Sequence, residues 1–369
     1  MTGADIGPLR PLAFDALEGW SDDDHAAAFR AFRLSADKAA GAEPKTRALC
    51  VDGAALASVA RAALQLPADI TPAAARSFFE RHFTPHEGVR GDGFFTGYYE
   101  PEAEASLTAD DRFRTPLLRQ PEELVEIDEA APPPGLEPGM RFARRTEGGF
   151  EPFFDRGAIM AGALDGRGLE IAFLADPVEA YFIHVQGAAR LRLPQGRLMR
   201  VTYAAKSGHA YRAIGRTLIE RGALERGAIT MQSIRAWLAA HPDEAAGVMA
   251  ANRSYIFFRE APAGDPALGP LAAAKVPLTA GRSLAVDRTL HTFHVPVWID
   301  TLVPETGGPK PWRRLLIAQD TGSAILGPAR GDIFFGSGDA AGEVAGRMQA
   351  KGRFVTFVPR PPGSGGSLQ

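Results

Sequence analysis

RRLLIAQDTGSAILGPARGDIFFGSGDAAG, residues Arg313 to Gly342, places two aspartates at the edges of apolar runs. Leu315-Leu316-Ile317-Ala318 reads as a buried strand, Gly322 and Gly327 as turn punctuation, and Ile333-Phe334-Phe335 as a second strand. Asp320 follows the first run and Asp332 opens the second. A carboxyl beside aliphatic and aromatic side chains loses hydration, so its pKa rises and it can hold a proton near neutral pH. Aspartates next to glycine are also ordinary turn residues, bonding nearby backbone N–H groups. Only their surroundings distinguish the two readings.

Outward from this segment the chain continues as short strands and turns. Ser283 to Val286, Val295 to Ile299, Arg314 to Gln319 and Arg353 to Val358 read as strands, with a helix near Ala340 to Ala350 and a flexible tail over 359–369. Many short strands with glycine and proline turns argue for a barrel or sandwich. Towards the N-terminus, helices are expected over Ala210 to Arg221, Thr230 to Ala240 and Pro242 to Ala251, before a strand at Tyr255 to Phe258. A short capped helix over Asp155 to Leu164 and strands over Ala180 to Gly187, Arg190 to Leu193 and Leu198 to Ala204 make a small β-rich unit. A proline- and acid-rich region runs from Pro101 to Phe150, with its clearest loop at Ala130 to Gly135. The first ninety or so residues read as helical over Phe14 to Phe32, Gly53 to Gln65 capped by Asp52, and Thr71-Pro72 through Phe83. They give way to the extended, aromatic GDGFFTGYYEPE, Gly91 to Glu102.

Composition excludes several classes. The 369 residues are 45% hydrophobic, ample for a core and consistent with two domains. The net charge of -3 and the lack of a basic run speak against nucleic acid as a partner. A single cysteine, Cys50, rules out an intrachain disulfide or a multi-thiolate zinc site. No export signal is visible at the start, and no stretch approaches the roughly 18 apolar residues of a membrane span.

Individual motifs leave several readings open. Asp320-Thr321-Gly322-Ser323 matches the loop of an aspartic protease, which needs a second such loop; this chain holds one, so that reading requires a dimer of single-loop subunits, which are usually far shorter. Gly336-Ser337-Gly338 with Gly342 has the wrong spacing for a dinucleotide site. The pairs His291 with His294 and His82 with His86 lack helical metal-binding geometry, so neither a metal nor a cofactor is expected. No Gly-x-Ser-x-Gly elbow is present. Thr96 to Tyr99 is either a core strand or a sugar platform, since tyrosine combines an apolar ring with a polar handle. Val185-Gln186-Gly187 and Lys206 to Arg212 are polar, glycine-containing clusters suited to ligand contact or to plain capping.

Taken together, FTGYYEP (Phe95 to Pro101), VQG (Val185 to Gly187), YAAKSGHAYRAIG (Tyr203 to Gly215), SLAVDR (Ser283 to Arg288) and AQDTGSAILGPARGDIFFGSGDAAG (Ala318 to Gly342) resemble the MltA-type lytic murein transglycosylases, from Trp20 to about Pro359. The chain departs from the family's common pattern at Ser323, where a second glycine is usual, and at Ser207, where asparagine is. The resemblance implies a mainly β protein with helices: a discontinuous double-psi β-barrel plus an inserted β-rich domain, with a glycan cleft between them. The expected division is 1–102, helical region and first part of the barrel; 103–261, the insert; 262–358, the rest of the barrel with the catalytic aspartate; and 359–369, the tail.

The resemblance further implies cleavage of the β-1,4 bond between N-acetylmuramic acid and N-acetylglucosamine with formation of a 1,6-anhydro ring. The sugar's own O6 replaces the water of an ordinary glycosidase, so one carboxyl can serve twice where hydrolysis uses two. By the family's pattern Asp332 is the catalytic residue, Asp320 supports it, and Asp287 completes the three aspartates of the barrel. Expected substrate contacts are Thr96, Tyr98, Gln186, Gly187, Ser207, His209 and Asp287. The expected partners are peptidoglycan glycan strands, with outer-membrane association, cell-wall remodelling complexes and a periplasmic location implied by the family. An expansin-like, non-lytic wall binder and an aspartic protease are the competing readings.

Overall fold

The computed structural model describes residues 9–88, 93–128 and 131–361. The chain divides into two compact units, one formed by Met1–Tyr99 with Pro266–Gln369 and the other by Glu100–Asp265. The division expected from sequence set these boundaries near Glu102 and Ala261. The stretch Gly91–Asp92, Ala130 of the expected loop and 362–369 of the expected tail lie outside the described residues.

The first unit opens with strand β1 (Leu9–Pro11) and helices α1 (His25–Gly41), α2 (Gly53–Leu64) and α3 (Pro72–His82). Each helix begins at a side-chain cap: Asp24, Asp52 and Thr71 accept from the amides of Ala27, Ala54 and Ala74 at 2.9, 2.8 and 3.2 Å. The helix expected over Phe14 to Phe32 is broken. Two short 3-10 turns, Phe14–Ala16 and Trp20–Asp22, come first, because Gly19 takes a left-handed φ of 76° and Asp24 starts the helix proper. Strands β2 (Phe83–Gly88) and β3 (Gly93–Glu100) follow.

The second unit holds β4 (Glu102–Ser106), β5 (Thr115–Leu118), β6 (Leu124–Glu126), β7 (Phe142–Thr146), β8 (Gly149–Glu151), α4 (Arg156–Met160), β9 (Glu170–Leu174), α5 (Pro177–Gln186), β10 (Ala188–Arg192), β11 (Leu198–Lys206), α6 (Ile214–Glu220), α7 (Met231–Ala240), α8 (Pro242–Ala250) and β12 (Ile256–Ala261). Its sheet runs β12-β11-β10-β4-β9-β5, and a bridge between Arg119 and Phe258 joins the two edges. Arg156 is buried within it, donating to the carbonyls of Asn252 and Ser254 at 3.0 and 2.6 Å between the rings of Tyr181 and Tyr255.

Ala180 to Gly187 is helix, not the expected strand. Asp176 caps the Val178 amide at 2.8 Å, Pro177 occupies the first turn, and Gly187 ends the helix in the left-handed conformation. Burial of Ala180 through His184 made the run aromatic and apolar all round, the composition that suggested a strand. The helix expected from Ala210 forms only at Ile214.

The chain then returns to the first unit with β13 (Ser283–Val286), β14 (Pro296–Glu305), β15 (Gly308–Asp320), β16 (Arg330–Ser337), α9 (Gly338–Ala345) and β17 (Gln349–Pro359). Strands β17-β14-β15-β13-β16-β3 are neighbours in that order, and β3 pairs back with β17. This closes the discontinuous double-psi barrel. Pro359, expected to begin the tail, ends β17, and Arg360 donates to the carbonyls of His82 and Phe83.

Alternation along the strands assigns two faces. Phe95, Leu284, Val286, Leu316, Ala318 and Ile333 fill the barrel interior. Leu315 and Ile317 instead join Trp20, Phe29, Phe32 and Trp298 in the core beneath α1 to α3. Between barrel and helices lies a buried ion pair, with Arg282 donating to both oxygens of Asp23 at 2.8 Å and Asp23 also accepting from the Leu315 amide at 3.0 Å. Both side chains are almost wholly buried. Arg282→Met leaves Asp23 buried and unpaired, and is expected to lower stability by about 3 kcal/mol or more, read by thermal or urea unfolding.

Candidate active site

The two aspartates of the opening segment meet the same neighbour. Ala285 of β13 pairs with Asp320 of β15 on one side and with Asp332 of β16 on the other. Registered partners project to the same face, so both carboxyls rise beside the Ala285 methyl, with their Cα atoms two strand spacings, roughly 10 Å, apart. Simple alternation would have sent Asp320 inward behind Leu316 and Ala318. Register between β13 and β15 shifts after Leu284, leaving Gln319 as an extra residue, and this bulge turns Asp320 to the outer face. Gln319 is anchored there: its oxygen accepts from Ser283 Oγ at 2.5 Å, and its nitrogen donates to Ala31 O at 3.1 Å and Ser35 Oγ at 2.8 Å of α1.

Strand β3 completes the site. Phe95 points into the barrel, so Thr96 and Tyr98 share the outer face with Asp332. Between them, a Cβ on Gly97 would stand 2.6 Å from the Phe335 ring and 2.9 Å from Ala345 Cα, so only glycine allows α9 to pack this closely. The Tyr98 hydroxyl donates to Asp320 Oδ2 at 3.0 Å, and its ring packs on Phe334. Asp320 Oδ1 accepts from the Ala273 amide at 3.0 Å. Thr96 Oγ1 hydrogen-bonds Asp332 Oδ1 and also accepts from Arg330 Nη2, the latter at 2.6 Å.

Burial raises the pKa of both carboxyls, but their neighbours differ. For Asp320 the opposing influences are donors: the Ala273 and Thr321 amides, Tyr98 and, more remotely, Lys275. For Asp332 they are the Arg330 charge and Thr96, while the negative charge of Asp320 pushes it further up. Burial and the adjacent carboxylates in turn hold the Tyr98 phenol well above its ordinary value, so it acts as a neutral donor. Both aspartates keep partial exposure, within reach of a ligand.

Sequence reasoning had singled out Thr96, Tyr98, Asp320 and Asp332, and the fold brings these together. Asp287 is elsewhere in its chemistry: it accepts from Thr289 N and Oγ1 at 2.9 and 2.6 Å and from the Gly327 amide at 2.9 Å. It is 5% exposed and clamps the turn between β15 and β16. Ser207 and His209 are also buried. Ser207 is fully buried and accepts from the Tyr255 amide at 3.0 Å, while His209 is 3% exposed with Nε2 2.8 Å from Phe153 O. Gln186 and Gly187, in the second unit, end α5 with partial exposure, and a side chain at Gly187 would meet nothing within 4 Å. Arg330 and Ala285 were missed. Arg330 carried a usable signal, lying two residues before Asp332 in a strand and hence on its face.

Both aspartates have folded-state pKa values above their unfolded ones, so the stability each contributes is complete below the unfolded value, near 3.9, and is lost as pH rises through the folded one. Asp332→Asn is therefore expected to raise the melting temperature at pH 7 and to have a smaller effect at pH 3.

Comparison with known proteins places these features in context. The MltA specific insert domain matches residues 94–259, and the 3D domain matches residues 282–358. The membrane-bound lytic murein transglycosylase A of Escherichia coli K12 is 30% identical over 281 residues, 74% of this chain and 68% of that protein. A crystal structure of a membrane-bound lytic murein transglycosylase from Agrobacterium tumefaciens is 47% identical, with a TM-score of 0.88 over 96% of this chain and 98% of that one. The E. coli MltA structure with bound chitohexaose is 25% identical, with a TM-score of 0.71 over 98% of each chain.

Proposed function

The chain belongs to the MltA family of lytic murein transglycosylases, and we propose that in it Asp332 alone carries both proton transfers of the reaction. The protein is a peptidoglycan lytic transglycosylase. In the mechanism we propose, protonated Asp332 gives its proton to the glycosidic oxygen between N-acetylmuramic acid and N-acetylglucosamine as the bond to C1 breaks. The resulting carboxylate then accepts the O6 proton while O6 closes on C1, forming the 1,6-anhydro ring. No water enters, and the nucleophile belongs to the ring it attacks, so high effective concentration replaces a second catalytic carboxyl.

The observation that carries this reading is the unequal bonding of the two aspartates. Asp320 accepts a donor on each oxygen, Tyr98 on one and Ala273 on the other, an arrangement that favours a fixed carboxylate. Asp332 is held through Oδ1 by Thr96, and among the described residues Oδ2 has no protein donor. A buried carboxyl with one oxygen unengaged beside a carboxylate is suited to hold and deliver a proton. Asp320 then serves as a fixed negative charge that keeps Asp332 protonated and offsets positive charge developing at C1.

Within the same proposal, Thr96 and Tyr98 border the reacting sugar, and Gln186 and Gly187 are glycan contacts of the second unit, a role supported by their partial exposure. The relatives' designation as membrane-bound supports a periplasmic protein associated with the outer membrane; among the described residues no helix is long and apolar enough to cross a membrane.

The test is product analysis on murein sacculi. The parent is expected to release anhydro-muropeptides, and Asp332→Asn to lose at least about a hundredfold of that rate while keeping its fold. Release at the parent rate by Asp332→Asn contradicts the assignment. Because the acid form starts the reaction, kcat/KM is expected to fall as pH rises through the raised pKa of Asp332.

A further inference from the structure

Arg330 is not consumed by the reaction scheme, yet it is one of the most constrained side chains at the site. It stands on β16 two residues before Asp332, with its guanidinium 5.2 Å from the centre of the Phe94 ring. Nη1 hydrogen-bonds Gly331 O and reaches Phe94 O at 3.4 Å, while Nη2 donates to Thr96 Oγ1 at 2.6 Å. The planar fork thus ties β16 to two successive alternate residues of β3.

A guanidinium only donates, so Thr96 must accept from Arg330. Its own hydrogen is then free to point at Asp332 Oδ1. If the Asp332 proton sat on Oδ1 instead, the Thr96 oxygen would accept from both an arginine and an acid, and its hydrogen would lose its partner. Thr96 therefore donates and Oδ1 accepts, which leaves Oδ2 to carry the proton. We propose that Arg330 is a positioning residue that acts through Thr96 to dictate which oxygen of Asp332 is protonated. This rests on the reading of Asp332 as the acid and base of the reaction.

The arrangement also sets when the proton leaves. Arg330 favours the carboxylate form of Asp332, against burial and the charge of Asp320. On the other elements around them, β3 contributes Tyr98 and β13 the neutral Ala285. The segment before β13 brings Lys275 towards Asp320, β17 has Lys351 opposite Phe94, and α9 carries the exposed Asp339 and Glu343, the latter paired with Arg347. Arg330 is the cation that bears directly on Asp332. Removing it raises the Asp332 pKa, so the acid form persists to higher pH while the orientation of its proton is lost. Lysine would keep a charge but not the fork that joins Thr96, Gly331 and Phe94.

The experiment is a set of pH–rate profiles for anhydro-muropeptide release from murein sacculi by the full chain, comparing the parent with Arg330→Met, Arg330→Lys, Thr96→Val and the Arg330→Lys/Thr96→Val double variant. Arg330→Met is expected to move the alkaline limb of kcat/KM upward by about one pH unit. It should lower kcat roughly tenfold to a hundredfold, with KM within about twofold of the parent. Arg330→Lys should leave the limb in place but lower kcat, and the double variant should be no slower than the slower single variant, because both changes break one relay. An unmoved limb in folded Arg330→Met, or multiplying losses in the double variant, overturns the proposal. If Arg330→Met does not fold, the comparison of Arg330→Lys, Thr96→Val and their combination decides it. Parent-rate release by Asp332→Asn would instead show that the acid–base reading beneath the proposal has failed.

Discussion

The bulge at Gln319 is the constraint on which the site depends. Strand β15 is committed by Leu316 and Ala318 to the barrel interior and by Leu315 and Ile317 to the helical side, and strict alternation would bury Asp320 among aliphatic side chains. One extra residue re-aims it to the face shared by Ala285, Asp332, Thr96 and Tyr98. The extra residue is held by bonds to Ser283, Ala31 and Ser35. Helix α1, which reads as plain scaffold, therefore fixes the geometry of a carboxyl it never touches. The Asp23–Arg282 pair acts beside it, anchoring the start of β13 and the Leu315 amide.

From that geometry the two aspartates diverge. Each is pushed towards protonation by burial, and neither can be understood from that effect alone. Donors on both oxygens favour the charged form of Asp320. Asp332 meets a single hydroxyl whose hydrogen is directed by Arg330. The proposed division of labour follows from counting donors and acceptors: one carboxylate is fixed, and one carboxyl has an oxygen left for a proton. The spacing across Ala285 also separates this pair from an aspartic-protease dyad, in which two carboxyls touch and share a proton.

Much of this was legible in the chain. Asp52, Thr71-Pro72 and Thr230 announce helix starts, and Ser283 to Val286 is read to the residue as the strand on which both aspartates register. The errors have identifiable causes. Ala180 through His184 are all buried, so periodicity could not separate helix from strand, although Asp176-Pro177 and Gly187 marked a helix's ends. The buried placement of Ser207, His209 and Asp287 was not legible either, because polar residues at strand ends and in loops serve ligands and turns equally well; only burial and partners separate the uses. The bulge at Gln319 has no local signature, because it arises from pairing between strands separated in sequence.

Carbon-13 NMR titration of the aspartate carboxyls, assigned with Asp320→Asn and Asp332→Asn variants, tests the inequality most directly. The account predicts that Asp332 keeps its proton at a pH where Asp320 is already ionised. Loss of the Asp332 proton at a lower pH than that of Asp320, or a single shared transition, would contradict it.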